Sequence, residues 1–153
     1  MEYIGEHLLP GQAGHFFILV SLVASLVAAF AYFKAVHAAP EEKSGWLKLG
    51  RWAFYTEAVA ILAIFAALFH ILYHHLFEYK YAWQHTSLSL EFKYIMSAFW
   101  EGQEGSTLLW AFWHCVLGLI VIKRENQWEA PVMSILSFAQ FFLATMVVGI
   151  YVF

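Results

Sequence analysis

The chain has 153 residues, 62% of them hydrophobic and only 12% charged, with a formal net charge of −3. Soluble domains carry about 25% charged residues and about 45–50% apolar ones, and a chain this short has too little interior to hide the excess. These figures exclude a water-soluble domain and give no basic footprint for a nucleic-acid partner, while the single cysteine, Cys115, excludes an intramolecular disulfide.

The opening stretch MEYIGEHLLPGQAGHF has no basic region and no small-residue cleavage site, so it does not read as a removable signal peptide. Crossing the hydrocarbon takes roughly 20 mostly apolar residues. Four stretches qualify, at about 13–36, 52–77, 106–122 and 131–153. Backbone in lipid must satisfy its own hydrogen bonds, so these are helices. The fold class is all-α integral membrane, with four transmembrane helices. APEEKSGW, between the first two spans, reads as a solvated turn.

The long loop between the second and third spans, 78–105, carries a further element. In LEFKYIMSAFW, Phe92, Ile95, Met96 and Phe99 fall at i, i+3, i+4 and i+7, the pattern of a short amphipathic helix lying in the membrane interface. EGQEGS then turns the chain into the third span. Gly102 and Gly105 permit backbone angles that other residues resist, Ser106 is placed to cap the helix, and Glu104 suits the positive end of its dipole. Trp100 and Trp110 are placed at headgroup level.

Basic residues set the orientation. Lys34, Lys43, Lys48 and Arg51 follow the first span and Lys123 and Arg124 the third, whereas the 78–105 loop has only Lys80 and Lys93. The expected topology puts the N-terminus and that loop outside the cytoplasm.

The segment YAWQHTSLSLEFKYIMSAFWEGQEGSTLLW resembles the cytochrome c maturation protein F family. There a loop of the form Y-x-x-x-x-S, then L-P-x-x-Y-K, leads into W-G-G/A-x-E-G-S-L-L-L-W. Tyr81, Leu90, Tyr94, Trp100, Gly102, Glu104, Gly105, Ser106, Leu108, Leu109 and Trp110 fall in register. YIGEHLL is similar to the family's E-I-G-x-x-L-L opening, and the order of spans and loops agrees. Glu101 stands in place of the first glycine, Gln103 where many members have histidine, and Glu91 where proline is usual.

The resemblance implies a multi-pass protein of the bacterial inner membrane. Such proteins take haem from a haem chaperone outside the cytoplasm and attach it to apocytochrome c, alongside thiol-reducing maturation proteins. It implies that Trp100, Gly102, Glu104, Gly105, Ser106 and Trp110 shape an outer haem or partner surface and do no chemistry. Members are several times longer, and their tryptophan-rich W-G-x-x-W-x-W-D motif is absent here. Residues 1–153 therefore read as a single N-terminal membrane module of a longer or split protein, with no complete catalytic site.

A different class stays open. His70 and His114 lie on the second and third spans, with His15 on the first. Two facing imidazoles would ligate one haem iron in a stand-alone four-helix b-type cytochrome anchor; the alternative use is interhelical hydrogen bonding. His70 and His74 share a helix face, but no third metal ligand is obvious. Glu57, the one acid inside a span, is expected near the cytoplasmic end, paired with or snorkelling beside Arg51; the alternative use is a proton or quinone role. Cys115 reads as a small core residue.

Overall fold

The computed structural model describes residues 6–124 and 127–150. The first residues of YIGEHLL and the last three of the fourth predicted span lie outside them. The chain is all-helical, 85% helix, with no strand among the described residues. The helices are α1 Leu8–His37, α2 Pro40–Tyr73, α3 Lys80–His85, α4 Phe92–Ala98, α5 Gln103–Arg124 and α6 Glu129–Ile150. Of these, α1, α2, α5 and α6 are long and apolar enough to cross a membrane, as the four spans lead one to expect.

The largest difference from the sequence reading is in α2. It begins at Pro40, so APEEKSGW is helix and the turn shrinks to Ala38 and Ala39. Those two alanines have ψ of 150° and 152°; both are extended, and for Ala39 this is the backbone that the following proline favours. Pro40 then opens the helix where a missing N–H costs nothing, and Glu41 and Glu42 sit at the positive end of its dipole. Hydropathy marks where an apolar run stops; the backbone continues for as long as capping and propensity allow. All three prolines, Pro10, Pro40 and Pro131, fall in a first helical turn, where none breaks an internal hydrogen bond.

α2 also ends earlier than expected. His75 has a φ of 50°, and the Leu76 N–H donates to the Ile71 carbonyl at 3.1 Å. This left-handed residue followed by a long back-bond is a Schellman stop.

In the bundle α1 packs on α2 and α6, and α5 packs on α6 and α2. One half of the core holds Ile18, Ile61, Leu68, Ile71, Leu108 and Leu143, joined by Tyr81, Ala82, Ile95 and Phe99 of the long connection. The other half holds Ala28, Tyr32, Phe54, Ile122 and Met133. Between the two lies a layer of buried polar side chains: Ser21, Ser25, Glu57, Ser137 and Gln140. Outward, Phe16, Leu19, Val23, Leu26, Phe30 and Phe33 stand exposed along α1, a stripe that lipid accommodates and water does not.

Glu57 corrects an expectation. Because α2 starts at residue 40, Glu57 lies near the middle of that helix and is fully buried. Arg51 is not its partner. The Arg51 guanidinium donates through Nε and Nη2 to both carboxylate oxygens of Glu129, each at 2.7 Å, and so ties α2 to the start of α6.

Candidate functional site

The connection from α2 to α5 folds back onto the bundle end, and its organiser is Tyr81 on α3. The side chain is buried. Its hydroxyl donates to the carbonyls of Ala98 at 3.1 Å and Phe99 at 3.0 Å, and accepts the Gly102 N–H at 3.2 Å. One phenol therefore closes the turn from α4 into α5, serving backbone groups that have no helical partner. Burial pushes the hydroxyl up, the Gly102 N–H pulls it down, and the charges of Glu104 and Glu101 push it up again. The net shift is upward, which keeps the donor protonated.

The two glycines of the turn supply room for this arrangement. Neither has a left-handed φ, contrary to the expectation from sequence. A Cβ on Gly105 would run into the Phe99 carbonyl, and one on Gly102 would meet the Tyr81 ring at 2.7 Å. Ser106 is likewise not the helix cap. α5 begins at Gln103, and the Ser106 hydroxyl bonds back to the carbonyls of Gly102 at 3.0 Å and Trp100 at 3.1 Å, a side-chain bond competing with the helical ladder. Glu104 does lie in the first turn of α5.

α4 forms within the predicted amphipathic stretch, but its apolar face is divided. Ile95, Ala98 and Phe99 are buried, and the Phe99 ring stacks on Phe65 of α2 with centroids 4.7 Å apart. Phe92 and Met96, expected on the same face, are exposed with Tyr94. Trp83 and Trp100 of the connection are exposed as well, while Trp110 and Trp113 stand exposed further along α5. This end of the molecule therefore presents aromatic rings on a rigid frame.

Removing the Tyr81 hydroxyl tests the frame. Tyr81→Phe leaves two buried carbonyls and one N–H short of a partner, a loss of about 1–2 kcal/mol. The Gly102 amide should then exchange its hydrogen roughly tenfold faster, with α1 amides unchanged; equal protection in both proteins would sink this role.

A second contact ties the chain's opening to the same connection. The Tyr79 hydroxyl donates to the His7 carbonyl at 2.5 Å and accepts the Gly11 N–H at 3.0 Å. The His7 N–H donates to the Glu78 carboxylate at 3.1 Å, with the ring at 3.2 Å. Burial raises the Glu78 carboxyl, but hydrogen bonds from its own backbone and from His7 outweigh this and hold it below its ordinary value. A lowered carboxyl stabilises above the unfolded-state value of about 4.3 and loses that contribution as pH falls through the folded-state value. A nitroxide on Glu6→Cys should thus gain mobility on acidification below the ordinary glutamate value of about 4.3, and should be mobile at neutral pH in Glu78→Gln.

The histidines singled out from sequence do not converge. His70 is exposed and its ring lies 4.3 Å from that of His74. His114 is half-buried with an unpartnered Nδ1. The Phe65 and Phe112 rings meet at 5.3 Å, which levels α2 with α5. His70 then lies five residues above that level and His114 two below it, about 10 Å apart along the axis. Axial ligands must face each other across one iron, and this pair does not fit. His15 is exposed beside Gln12 and Tyr79. Among the described residues no group of three or more His, Cys or Glu is placed to hold a metal.

Sequence reasoning missed Gln140 and Glu129. Each had a signal: a lone amide inside the fourth span, and an acid just ahead of Pro131.

Fold and site together define a four-helix membrane module whose long connection is folded into an aromatic cap. No family model and no curated protein matches the chain by sequence. A solved structure, cytochrome c heme lyase CcmF, matches with a TM-score of 0.80 and 21% sequence identity, over 95% of this chain and 24% of that one. The chain thus has the fold of the N-terminal part of that protein and spans about a quarter of its length.

Proposed function

We propose that this chain is the N-terminal membrane module of a cytochrome c haem-ligation machinery. In this reading it lies in the bacterial inner membrane, with the aromatic cap outside the cytoplasm. The observation that carries the reading is the fold likeness over nearly the whole chain. The clustering of Tyr81, Gly102, Gly105 and Ser106 of the family-like motif in one hydrogen-bonded turn supports it. Haem is cargo here. Trp100, exposed on the cap, and Trp110, exposed about 10 Å further along α5, offer flat apolar rings to a porphyrin face, a chaperone or the headgroup layer, and Gly102, Glu104, Gly105 and Ser106 hold the turn between them. α4 lies along the interface, and the haem chaperone, apocytochrome c and thiol-reducing proteins approach from the same side. Basic residues at the opposite end of the bundle support this orientation. The rest of the machinery supplies the chemistry, as a longer chain or as further subunits.

The test is genetic. Deleting the coding sequence should lower holocytochrome c in the native host, with restoration by the wild type and not by Trp100→Ala/Trp110→Ala at equal membrane levels. Unchanged holocytochrome c after deletion would refute the proposal. The b-type anchor is less supported, since His70 and His114 do not face each other. A bis-histidine absorbance spectrum from the purified chain, lost in His114→Ala, would restore it.

A further inference from the structure

In the polar layer at mid-bundle, both carboxyl oxygens of Glu57, the Ser21 hydroxyl and the Gln140 Oε1 are buried without a hydrogen-bond partner. They come from α2, α1 and α6, and their three residues line one small cavity whose other walls include Ile18, Ile61 and Val147. The cavity is small and has room for one water-sized sphere, with polar partners around it that a buried water needs. Gln140 lies beside the Glu57 carboxyl without hydrogen-bond geometry between them. Its Nε2 is already committed, donating to the Ala111 carbonyl at 3.1 Å and the Cys115 Sγ at 3.1 Å. The amide is thereby fixed, and its oxygen is what it offers the cavity.

We propose that Ser21, Glu57 and Gln140 form an internal site for one water molecule and one proton, with the Glu57 carboxyl held as the neutral acid. Among the described residues nothing facing Glu57 balances a negative charge. α1 presents Ser21, α6 presents Gln140, and the titratable group from α5 is the Cys115 thiol. Arg51, six residues back along α2, is engaged by Glu129. An ionised carboxylate in such surroundings costs several kcal/mol and neutralises instead. As an acid, Glu57 gains a donor. One water then accepts from the Glu57 O–H and donates to the Gln140 Oε1 and the Ser21 Oγ. Three of the four atoms are satisfied, and the fourth is a carbonyl oxygen, the group that tolerates under-satisfaction best.

Infrared spectroscopy of the whole chain in detergent micelles at pH 8 tests the site. Ordinary glutamates titrate at about 4.3, and every acidic residue of this chain is a glutamate. A protonated-carboxyl C=O stretch at pH 8 that shifts in D₂O therefore reports a buried acid in the wild type alone, whether or not a variant folds. The band is expected to vanish in Glu57→Gln, whose unfolding midpoint stays within about 4 °C of wild type. It is expected to shift in Ser21→Ala, which removes one partner of the water. Absence of the band in the wild type would overturn the proposal, as would a band unmoved in Ser21→Ala. A sodium- or potassium-dependent rise in the unfolding midpoint that Glu57→Gln abolishes would overturn it too, since that marks a cation on an ionised carboxylate.

Discussion

Gly105→Leu is expected to open the turn into α5 and abolish whatever the aromatic cap does. The obstacle is backbone. A Cβ at residue 105 meets the Phe99 carbonyl, which cannot swing away like a flexible side chain and already accepts the Tyr81 hydroxyl at 3.0 Å. Overpacking of this kind costs about 1–3 kcal/mol and more where nothing yields; alanine should fall within that range and leucine above it. The readouts are the denaturant midpoint of the purified chain and the holocytochrome c level in cells. Gly45 on α2 is the control, because a Cβ there meets nothing. Gly45→Ala should stabilise by about 0.5–1 kcal/mol, through helix propensity alone. If Gly105→Leu matched wild type in midpoint and in cytochrome yield, the close approach would be irrelevant.

Breaking the Arg51–Glu129 pair is the second large effect. Glu129 is almost fully buried, with 3% of its side chain exposed, against 27% for Arg51. Arg51→Met leaves the Glu129 carboxylate in the core beside Tyr32 and unpaired. The cost for a buried pair is about 3–5 kcal/mol, and the partly wet guanidinium points to the lower end. Arg51→Lys keeps the charge but loses the two-pronged geometry, so it should lose about 1 kcal/mol. The double variant Arg51→Met/Glu129→Leu should recover most of the loss, since two apolar groups of similar volume replace both ions. A double variant as unstable as the single one would mean that the pair itself stabilises, not merely that an orphaned charge is costly.

Much of this was legible in the sequence, and the failures have identifiable causes. The four spans follow from hydropathy because lipid allows no other backbone solution. The family-like motif put Tyr81, Gly102, Gly105 and Ser106 together, but not how. Gly105 looks like a turn glycine, and only the position of Phe99, six residues earlier, shows that it is a space-making one. Ser106 fits a cap pattern, yet α5 starts three residues sooner. The polarity of residues 40–51 hides the true start of α2 and puts Glu57 near a helix end. Once α2 begins at Pro40, the same glutamate moves from a helix end to its centre. Which residue Arg51 meets depends on α6, 78 positions away, and no local pattern carries that information.

The two-residue joint between α1 and α2 bears on how this protein enters the bilayer. An ionisable side chain at the centre of a lone inserting helix is penalised by about 2.5–3.5 kcal/mol, and α2 carries Glu57 there. With only Ala38 and Ala39 between them, α1 and α2 are expected to enter the bilayer as one antiparallel pair. Glu57 then meets lipid already shielded by the serine face of α1. Lengthening the joint would let α2 partition alone, and biogenesis would stall at that step long before any turn or cap had formed.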